Sequence, residues 1–340
     1  LCEHFALEQF AQGETPVKAL VCHQYGPPET LTVEELPSPR PGPGEALVQV
    51  KAASVNFPDV LIVQNRYQVR PPLPFTPGSE LAGVVKSVGA GVAAPRPGDR
   101  VIAFTTWGAF AEECVVPAHR LVPMPAGMDF ETAASFLLTY GTSHHALRHR
   151  VEVRSGETLV VLGAAGGVGL AAVEIGKVLG LRVIACASSE EKLALCRAHG
   201  ADETVNYTTD DLREAIRGLT GGAGADIVYD AVGGPYAEAA LRASAWRARY
   251  LVVGFAAGEI PRIPLNLALL MERSIVGVYW GEWTRRAPAE LSAAVEELGR
   301  WHAEGKLRPH VSGRYPLARA AEAIAALAGR RALGKIVVVP

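Results

Sequence analysis

The 340-residue sequence predicts an α/β protein in which a doubly wound parallel sheet of six strands is joined to a compact, barrel-like β domain. Three observations carry this. From Val17 to about Leu138, short apolar runs are punctuated by turns such as Pro41-Gly42-Pro43-Gly44, Pro77-Gly78 and Pro95-Arg96-Pro97-Gly98. From about Tyr140, apolar strands alternate with helical segments. At the first of these repeats, the strand Thr158–Leu162 runs into a turn with four glycines, Gly163-Ala164-Ala165-Gly166-Gly167-Val168-Gly169, and then a helix.

In the β region, strands are expected at Lys18–Cys22, Ala46–Ala52, Leu81–Val88, Asp99–Ala103, Phe110–Val116 and Leu121–Pro123. In the alternating region they fall near 158–162, 182–187, 203–206, 226–230, 249–254 and 274–280. Helices lie between them, among them Glu190–His199 and Thr209–Leu219, the latter with Thr209 and Asp210 as capping candidates. Two more amphipathic helices, Glu290–Glu304 and Leu317–Ala328, precede a last strand, Lys335–Val339. That tail is too small to stand alone and is expected to pack on the β domain. The expected organisation is therefore an N-terminal extension at 1–16, a β domain of 17–141 and 284–340, and a sheet domain of 142–283.

Composition narrows the classes. Hydrophobic residues make up 49%, charged residues 20%, and the net charge is −2, so nothing favours nucleic acid as a partner. No run approaches the ~18 apolar residues of a membrane span. Leu1–Gly13 lacks the basic start of a signal peptide. The five cysteines, Cys2, Cys22, Cys114, Cys186 and Cys196, are scattered and form no C-x-x-C pair. Free, mostly buried thiols of a soluble cytoplasmic protein fit that pattern better than disulfides or structural zinc.

The strand, glycine turn and helix match a dinucleotide-binding βαβ unit, G-x-G-x-x-G with Ala164 in the first glycine place. Gly166 lets the backbone approach a pyrophosphate, and Gly169 lets the helix pack close to the strand. Gly167 and Val168 open the helix whose N–H groups face the phosphates. An NAD site usually places Asp or Glu at the end of the next strand, to hold the ribose hydroxyls. Here that place is Ala187, followed by Ser188, Ser189 and Lys192. Small neutral residues with hydroxyls and a nearby cation suit the 2′-phosphate of NADPH.

From Val17 to Pro340 the chain resembles the medium-chain dehydrogenase/reductase superfamily. The resemblance is carried by Pro77-Gly78-Ser79-Glu80-Leu81-Ala82-Gly83 with Gly98-Asp99-Arg100-Val101, by Ala164–Gly169, by Asp226–Gly234 and by Gly334-Lys335-Ile336-Val337. It implies a GroES-like β-barrel catalytic domain, a Rossmann domain and an active site in the cleft between them. In the superfamily's zinc branch, a Cys and the His of Gly-His-Glu hold the metal; here those places are Asn56 and Ser79, leaving Glu80. A catalytic zinc needs three protein ligands. The resemblance is therefore to the zinc-independent branch, the quinone oxidoreductases and their relatives the 2-enoyl thioester and prostaglandin reductases.

That resemblance implies roles for particular residues. Asn56 and Tyr67 fall at the substrate side, though Leu61 stands where some quinone oxidoreductases have a second Tyr. Thr142 falls beside the nicotinamide, and Lys192 and Tyr207 at the 2′-phosphate. Val232, Gly254 and Phe255 fall on cofactor-binding loops, and Arg330, with Arg331 beside it, where a C-terminal Arg reaches the cofactor. It also implies a homodimer paired through the sixth strand, Ser274–Tyr279.

The chemistry expected is hydride transfer from NADPH to an apolar acceptor, a quinone or activated enone. A quinone takes hydride unaided, whereas an enoyl thioester needs a donor for the developing enolate, for which Tyr67 is the candidate with Asn56 in support. An enoyl thioester reductase, or an NADPH-binding structural or regulatory protein, are the alternatives. Asp59 reads as a local cap, and His144, His145 and His149 as structural, because 144/149 is a poor α-helical spacing with no carboxylate or Cys nearby in sequence. Trp280 and Trp283, with Tyr279, either wall a substrate pocket or lie at a subunit contact.

Overall fold

The structure is a computed structural model that describes residues 15–340. The N-terminal extension expected at 1–16, and Cys2 with it, lies almost wholly outside the described residues. These divide into two compact units, one of residues 15–135, Val311–Ala332 and Ile336–Pro340, the other of Phe136–His310 and Leu333–Lys335.

The first unit begins with β1 (Val17–Val21) and β2 (Thr32–Leu36), which form a two-stranded antiparallel ladder. Then follow β3 (Glu45–Val55), α1 (Phe57–Val63), β4 (Glu80–Val88), β5 (Arg100–Phe104), β6 (Glu113–Pro117), β7 (Leu121–Pro123) and α2 (Phe130–Ala134). β3 is the organiser, running antiparallel to β4 and β6. Eight of its eleven residues are buried, because it is paired on both edges and covered on both faces.

The second unit opens with α3 (Leu137–His144) and holds β8 (Thr158–Leu162), α4 (Gly167–Val178), β9 (Arg182–Ala187), α5 (Glu190–Ala198), β10 (Glu203–Asn206), α6 (Leu212–Leu219), β11 (Ala225–Asp230), α7 (Tyr236–Arg242), β12 (Ser244–Val252), α8 (Asn266–Leu269), β13 (Ser274–Gly277), α9 (Trp280–Arg286) and α10 (Pro288–Ala303). The chain then returns to the first unit with β14 (Val311–Pro316), α11 (Ala320–Ala328) and β15 (Lys335–Val339). The seven-stranded sheet of the first unit has the order β14-β15-β3-β4-β5-β7, with β6 on β3.

The sheet of the second unit is the expected one: six parallel strands ordered β10-β9-β8-β11-β12-β13. The order reverses between β8 and β11, so ligands of such a sheet bind outside the carboxyl ends of those two strands. The glycine turn follows β8, and the loop from Ala231 to Gly234 follows β11.

Several boundaries differ from the sequence reading. The helix expected from Thr209 starts at Leu212, capped by Asp211, whose carboxylate accepts from the N–H of Glu214 at 3.0 Å. Asp210 instead accepts from the N–H of Asn206 at 3.1 Å, closing the preceding turn. The sixth strand stops at Gly277, so Trp280 and Trp283 lie on α9. The unit boundaries fall at 135/136 and 310/311, where the sequence suggested 141/142 and 283/284. Residues 284–310 thus group with the parallel sheet; in α10, Leu298 and Trp301 are buried and Glu297 reaches His144 on α3.

Candidate cofactor and substrate residues

At the glycine turn, Gly163 adopts φ +69°, and its carbonyl accepts from the N–H of Gly166 at 3.0 Å. Gly166 caps α4 in an extended conformation. A Cβ on Gly169 would lie 2.2 Å from the Gly163 carbonyl oxygen, whereas one on Gly166 would meet nothing closer than 3.4 Å. Gly169 is therefore demanded by packing. Gly166 is not, and its bare backbone leaves room for a ligand against the helix start, where free N–H groups and the helix dipole favour phosphate. Ala164 is buried and donates its N–H to the Cys186 carbonyl at 3.0 Å, tying the turn to β9. The Val168 carbonyl accepts from Ser143 Oγ at 2.8 Å, which locks α4 to α3, the helix that carries the buried Thr142.

The residues expected at a 2′-phosphate converge. β9 and β10 pair with Asn206 opposite Ala187, so Tyr207 leaves its strand beside Ala187 and donates its N–H to the Ala187 carbonyl at 3.2 Å. Ser189 caps α5, accepting from the N–H of Lys192 at 3.4 Å. Lys192 Nζ donates to Ser188 Oγ at 3.1 Å. The Tyr207 ring packs on Tyr236, centroids 4.3 Å apart. A cation, hydroxyls and an aromatic ring therefore flank the end of β9, where no carboxylate follows directly. This donor set fits NADPH.

The loop after β11 is shaped by Asp230. Its carboxylate accepts from the N–H groups of Val232 and Gly233, both at 2.8 Å, and from Tyr250 Oη at 2.6 Å. Its carbonyl accepts from the N–H groups of Val253 and Gly254. Burial raises the Asp230 pKa against these hydrogen bonds. Val232 is pressed over Gly163, and Phe255 over Gly233, so the loops after β8, β11 and β12 are packed together. Asp230 escaped the sequence reading as a site residue; its signal was an Asp ending an apolar strand before two glycines.

The start of β15 belongs to this site too. Gly334 donates its N–H to the Ala165 carbonyl at 2.7 Å, and the stem of the buried Lys335 lies where a Cβ on Gly167 would be.

In the first unit, Asn56 caps α1 and is 4% exposed. Its side-chain amide donates to Glu80 Oε2, Ser54 Oγ and the Ser54 carbonyl, each at 3.2 Å, while Ser54 Oγ donates to Glu80 Oε2 at 2.7 Å. Asp59 accepts from the Asn56 backbone N–H at 2.7 Å, the local cap that the sequence suggested. Ser79 is also buried. Tyr67 lies past the other end of α1, partly buried against the barrel core. Arg330 is exposed, at φ +57°, in the turn after α11, and Arg331 lines a surface hollow of about 470 Å³ with Ser312, Tyr315 and Glu322.

The histidines sit differently from the sequence argument. Residues 145–149 form a π-turn, closed by the Arg150 N–H on the His145 carbonyl. In that geometry 144 and 149 share a face, and their rings lie 5.3 Å apart. A carboxylate is also at hand, Glu297 at 2.6 Å from His144. His145 stacks on Trp283 at 4.4 Å and His144 packs on Trp301 at 5.6 Å. Among the described residues, no three His, Cys, Asp or Glu side chains are grouped to hold a metal ion. Trp280 is buried with its indole over Gly141, and Tyr279 is 54% exposed. The described cysteines are free and buried, and burial pushes the Cys114 thiol up to about 12.

The chain is similar to known proteins over nearly its whole length. The family model of the alcohol dehydrogenase GroES-like domain matches residues 42–126, and that of the zinc-binding dehydrogenases matches residues 167–299. Quinone oxidoreductase-like protein 2 of Rattus norvegicus is 37% identical over 96% of this chain and 94% of its own length. A quinone oxidoreductase of Pseudomonas aeruginosa is 37% identical over 93% and 97%. The crystal structure of Escherichia coli quinone oxidoreductase complexed with NADPH superposes with a TM-score of 0.90 at 30% identity, covering 95% of this chain and all of that one. This chain belongs to the quinone oxidoreductase-like family of the medium-chain dehydrogenases/reductases.

Proposed function

We propose that this protein is an NADPH-dependent reductase that delivers hydride to quinones or activated enones without a catalytic zinc. The observation that carries the cofactor is the meeting of Ala187, Ser188, Lys192 and Tyr207 at the ends of β9 and β10. An acidic residue at Ala187 would repel a 2′-phosphate, whereas Lys192 attracts it. The NADPH complex of the Escherichia coli relative supports the same cofactor.

When bound, NADPH supplies a hydride, which with one proton converts a quinone to its hydroquinone. The residues of this chain bind and orient. The turn at Gly166 and Gly167 holds the pyrophosphate, Thr142 borders the nicotinamide, and Val232, Gly254 and Phe255 wall the cofactor loops. Arg330 is the candidate contact from the C-terminal segment. Asn56, whose amide is held by Ser54 and Glu80, is the candidate on the substrate side. Asn56 and Ser79 replace the Cys and His that a zinc site of this family requires, and Glu80 is committed to Ser54 and Asn56.

We assign the assembly as a homodimer joined through β13. Its outer edge pairs with no strand among the described residues, Ile275 is 42% exposed, and Leu265, Leu269, Leu270, Trp246 and Tyr279 are each more than half exposed nearby in the chain or on β12. An apolar sheet edge of this kind invites a second copy. Sedimentation as a monomer at assay concentration overturns this.

The experiment for the reaction is a steady-state panel of NADPH and NADH against quinones, enones and enoyl-CoA esters. Quinone reduction with a preference for NADPH is expected. Turnover of enoyl esters alone moves the acceptor to a thioester, and binding of NADPH without turnover of any acceptor favours a structural or regulatory role. A preference for NADH overturns the cofactor assignment.

A further inference from the structure

One buried acidic side chain joins three segments of the second unit, two of which carry candidate cofactor residues. Glu174 is 2% exposed on α4, two turns beyond the glycine turn. Every residue of α4 from Gly169 to Gly176 is buried, so an apolar residue would satisfy this position. A carboxyl group costs more to bury and is tolerated only with its hydrogen bonds made. Those bonds come from three segments. Tyr140 Oη, on α3, donates to Oε2 at 2.7 Å, and the N–H of Arg308 donates to the same oxygen at 3.0 Å. His199 Nδ1, at the C-terminus of α5, pairs with Oε1 at 2.6 Å.

The partners lead to two parts of the candidate cofactor site. Tyr140 stands two residues before Thr142 on the same helix. His199 caps the far end of α5, the helix whose first turn carries Lys192. Arg308 binds the Ala198 carbonyl at 2.9 Å, holding α5 a second time. His199 also packs edge-on against His310 at 5.7 Å, and the His310 carbonyl accepts from the N–H of Lys335, next to the Gly334 that bonds to the glycine turn.

We propose that Glu174 is a positioning residue of the cofactor site, fixing α3 and α5 against α4 so that the nicotinamide end and the 2′-phosphate end are set from one point. The proposal rests on the NADPH reading. A residue that only filled the core would act on stability; one that sets two ends of a site acts differently through each partner.

The test measures Kd for NADPH and NADH by fluorescence, with kcat on a quinone, in the full chain carrying Glu174→Gln, His199→Gln or Tyr140→Phe. His199→Gln, which removes the imidazole that joins α5 to Glu174, is expected to weaken NADPH about tenfold and NADH by less than about threefold. Tyr140→Phe, which removes the bond from α3 to Glu174 and leaves the Ser143 tie to α4, is expected to leave both Kd values within about twofold while lowering kcat about tenfold. Glu174→Gln is expected to do both; if it does not fold, the other two variants carry the test. Variants that match wild type, or that lose affinity and kcat by one common factor, overturn the proposal. A wild-type protein that binds no NADPH overturns instead the reading on which it rests.

Discussion

Asn206 stands opposite Ala187 in the parallel ladder of β10 and β9, and from that register Tyr207 emerges at the carboxyl edge where Lys192 reaches Ser188. A single strand pairing thus gathers residues that lie twenty positions apart in the chain. Its consequence is a sheet edge with a cation and hydroxyls at the end of β9, where Ala187 stands in place of a carboxylate.

Lys192→Ala should therefore separate the two cofactors. A charge-assisted contact to phosphate contributes about 1.5–3 kcal/mol, so the KM for NADPH is expected to rise roughly tenfold to a hundredfold. The KM for NADH should stay near its wild-type value, because its ribose carries no 2′-phosphate. Initial-rate kinetics with both cofactors decide it, and equal losses for both would remove Lys192 from the phosphate.

The glycine turn offers a second separation, between fold and ligand. A methyl on Gly169 would sit 2.2 Å from a backbone carbonyl that cannot move without dragging the strand. Gly169→Ala should cost about 2–4 kcal/mol and lower Tm by several degrees. Gly166→Ala, whose methyl finds a nearest neighbour at 3.4 Å, should leave Tm nearly unchanged but weaken NADPH, because the methyl occupies the ligand's approach. Thermal melts and cofactor titrations of the two variants check this; a Gly166→Ala protein with full affinity would mean the turn does not receive the pyrophosphate.

Much of this was legible in the chain because its causes are local. The strand, glycine turn and helix after Thr158 carry their own periodicity, and the parallel sense of the six strands follows from the alternation. What stayed hidden depends on partners distant in sequence. β2 reads as a polar segment, Thr32-Val-Glu-Glu-Leu, and becomes a strand only by pairing with β1. Asp211 outcompetes Thr209 and Asp210 as a cap because Asp210 is taken by the turn at Asn206. The pairing of Glu174 with His199, 25 residues on, has no sequence signature. The helix of 288–303 looked like part of the tail, but its buried Leu298 and Trp301 and its Glu297–His144 contact group it with the parallel sheet.

The amide of Asn56 and the hydroxyl of Tyr67 make different demands on different acceptors. Asn56→Ala removes the side chain assigned to the substrate side, which Glu80 and Ser54 hold in place, and should lower kcat/KM about tenfold on any acceptor. Tyr67→Phe keeps the ring against the barrel core and removes only the hydroxyl. Quinone reduction should survive it, because a quinone accepts hydride without a proton donor, whereas reduction of any enoyl ester should fall by about 100-fold. Parallel kcat measurements on a quinone and an enoyl ester test both; a quinone rate that collapses in Tyr67→Phe would make the tyrosine a general participant.

The histidine cluster sets the acid limit of stability. His145 is 4% exposed, stacked on Trp283, with His149, Arg150 and His144 around it, and burial with these like charges lowers its pKa from 6.5 to about 4. Burial likewise lowers His149, and lowers His144 despite its bond to Glu297. For a histidine held neutral in the folded chain, the unfolded chain binds the proton first as pH falls. Its contribution is therefore complete above the unfolded value, near 6.5, and is lost as pH drops toward the folded value near 4. The full difference for His145 is about 3 kcal/mol, and about 2 kcal/mol of it should be gone by about pH 5. Denaturant unfolding at about pH 7.5 and pH 5 measures the loss in wild type. His145→Phe keeps an aromatic face for Trp283 and has no proton to bind, so its stability should fall by about 2 kcal/mol less over the same interval. Equal losses in the two proteins would place the acid sensitivity elsewhere in the chain.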